Sequence, residues 1–208
     1  MEHHHLPPIF IADSLGLDFL NSVATPIDSE VDWLASGDGL IDWLAQAELV
    51  PATVIAEIKA SAMPGELDKI AHQARNLREW FRQFVRDRKG TALTCEHLKE
   101  LESLNRLLRR DEAFTEIVGA EDGGGALKTV MSRRWRSPES LLLPIAESLA
   151  RFVCEEDFSR VKACEGHACT LMFVDRTRRK SRRWCSMAIC GNRAKQAAHR
   201  LRSRSDEA

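Results

Sequence analysis

Four of the six cysteines in this 208-residue chain fall into two evenly spaced pairs near its C-terminal end, Cys164 with Cys169 and Cys185 with Cys190. Each pair encloses four residues, and fifteen separate the pairs. Short loops that each carry two thiolates supply what a closed tetrahedral metal site needs, and one structural Zn2+ held by four sulfurs is the expected occupant. The gaps sit at the long end of the usual range, so the pattern is a variant of the common zinc ribbon. Two disulfides or unliganded thiols are the alternatives. The opening MEHHHLPPIFIADSLGLDFLNSV lacks the basic n-region and long apolar core of a secretory signal, which disfavours disulfides and makes a cytoplasmic location the expectation. His167 lies between the first two cysteines, but four thiolates complete a tetrahedron without it. Cys95 and Cys154 lie outside the cluster and read as buried thiols on helices.

The net charge of -1 conceals a division. Residues 159–204 hold 13 Lys or Arg against Glu165 and Asp175, whereas residues 1–158 carry 17 basic and 27 acidic side chains. Such asymmetry speaks about partners rather than fold: a basic zinc module on an acidic body suits a polyanion, most simply nucleic acid. No run approaches the ~18 apolar residues of a membrane span, so no membrane partner is expected.

Read in order, the chain is mainly α with a small β component (an α+β composition). Leu15, Phe19 and Val23 recur at helical spacing, which predicts a helix over 9–24 ended by Thr25-Pro26. Val31, Trp33 and Leu34 read as a short helical turn broken by Gly37 and Gly39, followed by a helix with Leu40, Trp43, Leu44 and Ala47 inward. The acids between Asp28 and Glu48 read as a solvated face, since they lack the glycine and terminal glutamate of a calcium loop. Residues 66–88 form the clearest amphipathic helix, through Leu67, Ile70, Ala74, Leu77, Phe81 and Phe84. A second, over 94–110, has Thr94 as cap and Leu98, Leu101, Leu104 and Leu108 inward, completing an αα-hairpin. Arg75, Arg78, Arg82 and Arg86 read as a solvated face. Residues 113–118 and 126–135 suit two strands joined at Asp122-Gly123-Gly124-Gly125; that turn lacks the spacing and Lys-Ser/Thr of a phosphate loop. Ser137-Pro138-Glu139 opens a helix to about Cys154. Glu155-Glu156-Asp157 reads as the linker between a helical domain at 1–155 and a treble-clef- or ribbon-like four-cysteine zinc module at 156–208.

Inside that module, Leu171–Val174 is β-prone and Arg182–Trp184 is expected to return beside it, with the TRRKS loop in solvent. Ser186 caps a helix from Met187 to about Arg202, and Trp184, Phe173 and Met187 form a miniature core. Asp175 is expected to brace the loop by pairing with Arg176. A unit this small relies on its metal for folding free energy. Arg176, Arg178, Arg179, Lys180, Arg182 and Arg183 in the loop, with Arg193, Lys195 and Arg200 on the helix, are the candidate phosphate contacts. Asn192, Arg193 and Gln196 are suited to reading base edges in a major groove.

Cys190-Gly191-Asn192-Arg193, within RRWCSMAICGNRAK, resembles the signature of the CGNR zinc finger family, and Cys164, Cys169 and FVDRTRRKS match its layout. The LDFLNSV segment at 17–23 and the following WL and LIDWL resemble, more loosely, the ABATE domain that accompanies this finger in bacterial proteins. The resemblance implies a stress-induced transcriptional regulator that grips DNA with its finger, the helical body sensing a small-molecule effector or forming a homodimer. An RNA-associated or acidic-protein-binding zinc module is the alternative. No Ser/His/Asp arrangement, HExxH or nucleotide loop is present, so no catalytic residue is assigned and an enzyme is not expected.

Overall fold

Helix α4 (Glu66–Arg88) is the beam of the molecule and covers the span its periodicity predicts. Glu66 and Asp68 lie at its positive end and Arg86 and Arg88 at its negative end, charges that favour the helix macrodipole. Gly65 and Gly90 flank it at φ 76° and 86°, in the left-handed region where glycine carries no Cβ penalty. The computed structural model describes residues 7–25, 29–120, 125–197 and 200. Pro26, Asp28, Asp122 to Gly124 and Arg202, to which expectations were attached, lie outside them.

Around α4 pack α1 (Leu15–Leu20), α2 (Gly37–Gln46) and, across α1, α6 (Leu142–Glu155), with α5 (Glu102–Leu108) against α6. Helix α3 (Ala52–Ser61) buries only Ile58, so no apolar stripe announces it. Among the described residues, three antiparallel two-stranded sheets complete the fold: β1 (Val23–Ala24) with β2 (Val31–Asp32), β3 (Ala113–Gly119) with β4 (Leu127–Arg133), and β5 (Val161–Ala163) with β6 (Met172–Val174). The fold is thus mainly α with small sheets, as the sequence implies. Trp33 and Trp43 are core residues, and a short 3-10 turn at Pro138–Leu141 precedes α6. Pro144 falls in the first turn of α6, where no amide donor is needed.

Several local expectations are corrected. The helix expected at 9–24 shrinks to α1 because the buried Asp18 carboxylate accepts the amides of Ile11 and Ala12 at 2.9 and 3.0 Å, holding that segment extended. Val31 starts a strand instead of a helical turn. Gly37 and Gly39 do not break a helix but begin α2. A Cβ on Gly37 would lie 2.5 Å from Leu67 Cβ, so its bareness lets α2 approach α4, and one on Gly39 would lie 2.4 Å from the Trp33 carbonyl oxygen, so that glycine lets α2 turn back onto the segment before it. The helix expected at 94–110 divides into a 3-10 turn at Cys95–Lys99, capped through Thr94 and His97, and α5. Burial of Leu101 and Leu104, with Leu98 left 57% exposed, overrides the regular leucine spacing. Cys95 and Cys154 are exposed rather than buried.

Of the four α4 arginines expected to form a solvated face, only Arg86 is exposed; the other three serve the fold. Arg78 is 3% exposed and grips Asp32 with two bonds of 2.8 and 2.9 Å and Ser22 Oγ at 3.1 Å. Burial alone would raise the Asp32 carboxyl, but the Arg78 guanidinium holds it below its ordinary range. Arg82, also buried, donates to the carbonyls of Leu20 and Val23, and Arg75 to those of Leu34 and Ala35. These side chains tie the β1–β2 segment to α4, and Arg82 satisfies carbonyls of Leu20 and Val23 that would otherwise be buried unpaired.

Packing does not stop at residues 155–157. Phe158 packs against Phe152 at 4.9 Å with the rings tilted by 42° and meets Phe84 edge-on at 6.1 Å, and its carbonyl accepts from Gly90. From there one continuous core runs through Val161, Leu171, Met172, Phe173 and Val174 to Cys164, Cys185 and Cys190. The acidic segment expected to act as a linker is therefore not a free tether.

Candidate metal centre and the basic surface it supports

The four Sγ atoms of Cys164, Cys169, Cys185 and Cys190 lie within 4.8 Å of one another. Cys169 and Cys185 are 3.9 Å apart, Cys185 and Cys190 3.6 Å. Four thiolates about 2.3 Å from a central Zn2+ define a tetrahedron with edges of roughly 3.8 Å, whereas a disulfide would need about 2.0 Å. Cys164 follows β5, Cys169 ends a tight turn closed by its amide on the Gly166 carbonyl (3.0 Å), and Cys190 sits in a π-helical turn at Met187–Gly191. The Cys164 sulfur accepts the amides of Gly166 at 3.3 Å and Cys185 at 3.2 Å. A Cβ on Gly166 would lie 2.8 Å from Cys190 Sγ, so only glycine leaves room for the fourth ligand. As bare thiols the cluster is electrostatically frustrated. Hydrogen bonding from Cys185 lowers Cys169 to about 5, against the effect of its own burial. Cys185 is pushed up by donating to Cys169, and burial pushes Cys190 up to about 12. A divalent cation removes the conflict, since it allows all four to ionise together. The residues fit zinc.

Between the pairs, Asp175 organises the loop. It is fully buried; its carboxylate accepts Lys162 Nζ at 2.7 Å, the amides of Thr177 and Arg182 at 3.0 Å each, and the Thr177 hydroxyl. Although burial alone would raise this carboxyl, those donors, Lys162 foremost, hold it well below the usual carboxylate range. The expected brace is present, but its cation is Lys162 and not the neighbouring Arg176. Arg176 instead reaches the Asp13 carbonyl and Glu156. Beside β6 the returning chain is not Arg182–Trp184 but β5, in register Val161↔Val174, Lys162↔Phe173 and Ala163↔Met172.

The seam with the helical body is equally specific. Asn21 clamps the Met172 backbone from both sides, donating to its carbonyl at 2.8 Å and accepting from its amide at 3.0 Å. Arg182 donates to the Asp13 carboxylate and to the carbonyls of Ile11, Val174, Trp184 and Cys185, with its guanidinium 4.2 Å from the Phe173 ring centroid. Beside this seam a groove of about 340 Å³ opens along α6, with Leu15 and Phe152 on its apolar side and Glu147, Arg151, Glu155 and Glu156 on its polar side.

Residues 13–156 match the family described as ABATE, "Putative stress-induced transcription regulator", and residues 160–203 match the CGNR zinc finger. The chain belongs to the ABATE family. Comparison with curated proteins returned no match. In this ABATE protein the LDFLNSV segment that carries the resemblance holds the seam: Asp18 fixes residues 11–12 and Asn21 grips β6.

The cationic residues of the ABATE protein's finger divide by task. Arg182 is internal, Arg176 is tied to Glu156, and Arg183 pairs with Glu165 at 2.6 Å while lying 4.9 Å from the Trp184 ring centroid. Lys180, in a left-handed turn at φ 49°, donates to Ser159 Oγ at 2.9 Å. Arg178 and Arg179 on the loop and Asn192, Arg193, Lys195, Gln196 and Arg200 beyond the π turn are exposed; the last five lie on a helix, α7, described over 192–197 and at 200. Ser186 caps the turn through the Ala188 amide, as expected, but Met187 is 49% exposed and not part of the miniature core. Sequence reasoning missed Lys162, Asn21 and Asp13. Asn21 alone carried a signal, as one of the polar residues, with Asp18 and Ser22, in the buried LDFLNSV segment.

Proposed function

We propose that this protein is a DNA-binding transcription regulator of the cytoplasm whose finger holds one structural zinc ion and whose role is binding, not catalysis. The observation that carries this reading is the exposed cationic set on the two elements that the cysteine clamp fixes: Arg178 and Arg179 on the loop before Cys185, and Arg193, Lys195 and Arg200 on the helix after Cys190. The chemistry suits phosphate contacts, and Asn192 and Gln196 supply the amides that pair with adenine edges. Arg176, Arg182 and Arg183 are left out of the contacting set because their guanidiniums already serve the fold.

The test is titration of the zinc-loaded chain with duplex DNA at several salt concentrations. With five or so phosphate contacts, log K falls against log salt with a slope of roughly -4 to -5. Replacing Arg178, Arg179, Arg193 and Lys195 by Ala reduces that slope by about one per residue removed. Absence of a complex at low salt sinks the reading, and equal or tighter binding to single-stranded RNA reassigns it. Selection from a random DNA pool then reports whether base edges are read.

A further inference from the structure

The β3–β4 hairpin stands apart from the body. Its register is complete from Ala113↔Arg133 to Gly119↔Leu127, yet none of its strand residues is buried and only Val118, Val130, Ser132 and Arg133 are half-buried. Its base is held by Arg133, which grips Asp111 with two bonds of 2.7 Å and Glu147 at 2.9 Å. Of the eight exposed large hydrophobic residues among those described, four are here: Phe114, Ile117, Leu127 and Met131, the last three at 70 to 75% exposure. Paired residues share a face, so the register puts Ile117, Leu127, Thr129 and Met131 on one side of the ribbon. An isolated two-stranded ribbon is marginal in water; a third strand and a covered apolar face make it stable.

The hydrogen-bond phase identifies which backbone groups of each strand face outward. Ala120 donates to Ala126 and Arg134 to Glu112, so the bonded pairs run through Phe114–Ser132, Glu116–Val130 and Val118–Lys128. The outward amides and carbonyls of β4 therefore belong to Leu127, Thr129, Met131 and Arg133. No described residue outside the hairpin bonds to them through its backbone.

We propose that this hairpin is a dimerisation arm in which the β4 edge pairs antiparallel with the β4 edge of a second copy of the chain. A two-fold axis through Val130 sets Thr129 against Met131 of the second copy and Lys128 against Ser132, with no like charges opposed. It joins both Met131 side chains and their neighbours into one apolar stripe across four strands. The corresponding axis at the midpoint of β3 would set two Glu116 carboxylates against each other, a destabilising pair. Charge thus selects β4, and the self-complementary edge selects another copy of this chain as occupant.

The experiment is light scattering of the full zinc-loaded chain across a concentration series. The expected species has twice the 23.5 kDa of one chain. Thr129→Pro removes an outward amide while leaving the hairpin's own ladder intact, and Met131→Lys places charge in the stripe. Each is expected to raise the dimer dissociation constant by roughly 100-fold or more, whereas Thr115→Pro on the opposite edge leaves it within about threefold. Val130→Cys, in a background with Cys95 and Cys154 replaced by Ser, is expected to cross-link two chains under mild oxidation, because residues facing across such an axis approach to a disulfide's span. A monomeric mass at every concentration overturns the proposal. So does a dimer that survives both β4 substitutions, one abolished by Thr115→Pro instead, or a failure of Val130→Cys to cross-link.

Discussion

Single residues in the finger carry opposite duties despite similar surroundings in sequence. Arg178 and Arg182 sit in one basic run, yet Arg178 is exposed while Arg182 satisfies four carbonyls and the Asp13 carboxylate. Arg182→Ala leaves buried acceptors unpaired and is expected to cost about 2–4 kcal/mol in urea unfolding. Arg178→Ala is expected to stay within about 0.5 kcal/mol of the parent and to weaken nucleic-acid binding. Composition could not separate the two, because the distinction depends on carbonyls from Ile11 and Val174, far apart in the chain. Asp18 gives a pH signature at the same scale. Burial, opposed by the amides of Ala12 and Ile11 and helped by Asp13, raises its carboxyl from 3.8 to about 6. The folded chain therefore keeps a proton between pH 4 and 6 that the unfolded chain releases. The associated stability is full below the unfolded value and is lost as pH rises through about 6. Asp18→Asn keeps an acceptor but cannot titrate. Relative to the parent, it should gain roughly 1 kcal/mol on going from pH 5 to pH 7.5, read from paired urea titrations.

Among the elements, those whose burial follows one period were legible: α4, α6 and the β3–β4 ribbon all appear where the sequence places them. The failures share a cause, which is side chains reaching across the fold to recruit backbone. Residues 9–12 lost their helix to the Asp18 carboxylate and to the Val174 amide, which bonds the Ala12 carbonyl. Arg182–Trp184 lost its strand pairing to β5, whose Lys162 alternates with buried Val161 and reaches Asp175. The clustering of the four cysteines was legible, since short-range spacing decides chelation, but the tightness of the turn that carries them was not. Gly166 gives that turn a test. A methyl group there would press on the Cys190 side chain, so Gly166→Ala should speed zinc loss to a competing chelator by about 10- to 100-fold. The outcome is read as the rate of metal release, and an unchanged rate would mean that the turn can relax away from the clamp.

At the scale of the whole molecule, two matched family segments, 13–156 and 160–203, share one core. Phe158 joins Phe84 and Phe152 on one side, and Val161 and Phe173 extend the same cluster on the other. A finger on a flexible tether would lose its metal and leave the body unchanged. Here the Asn21 clamp on Met172, the Arg182 contacts to residues 11 and 13, and the Gly90–Phe158 bond all pass between the body and the finger. Folding free energy supplied by the metal is then shared by both. Chelation of the zinc is therefore expected to lower the melting temperature of the entire chain, by roughly 10 °C or more for a chain of this size, and not merely to melt the last 45 residues or so. Trp33 and Trp43, buried in the body, offer a probe remote from the cysteines. Scanning calorimetry should give one transition with zinc and one, shifted down, without it. A body transition at unchanged temperature after metal removal would show the two halves to be thermodynamically separate. Coincident shifts would mean that the groove beside Glu156 and Arg151 belongs to the same cooperative unit as the basic surface, with the Arg176–Glu156 pair passing between them.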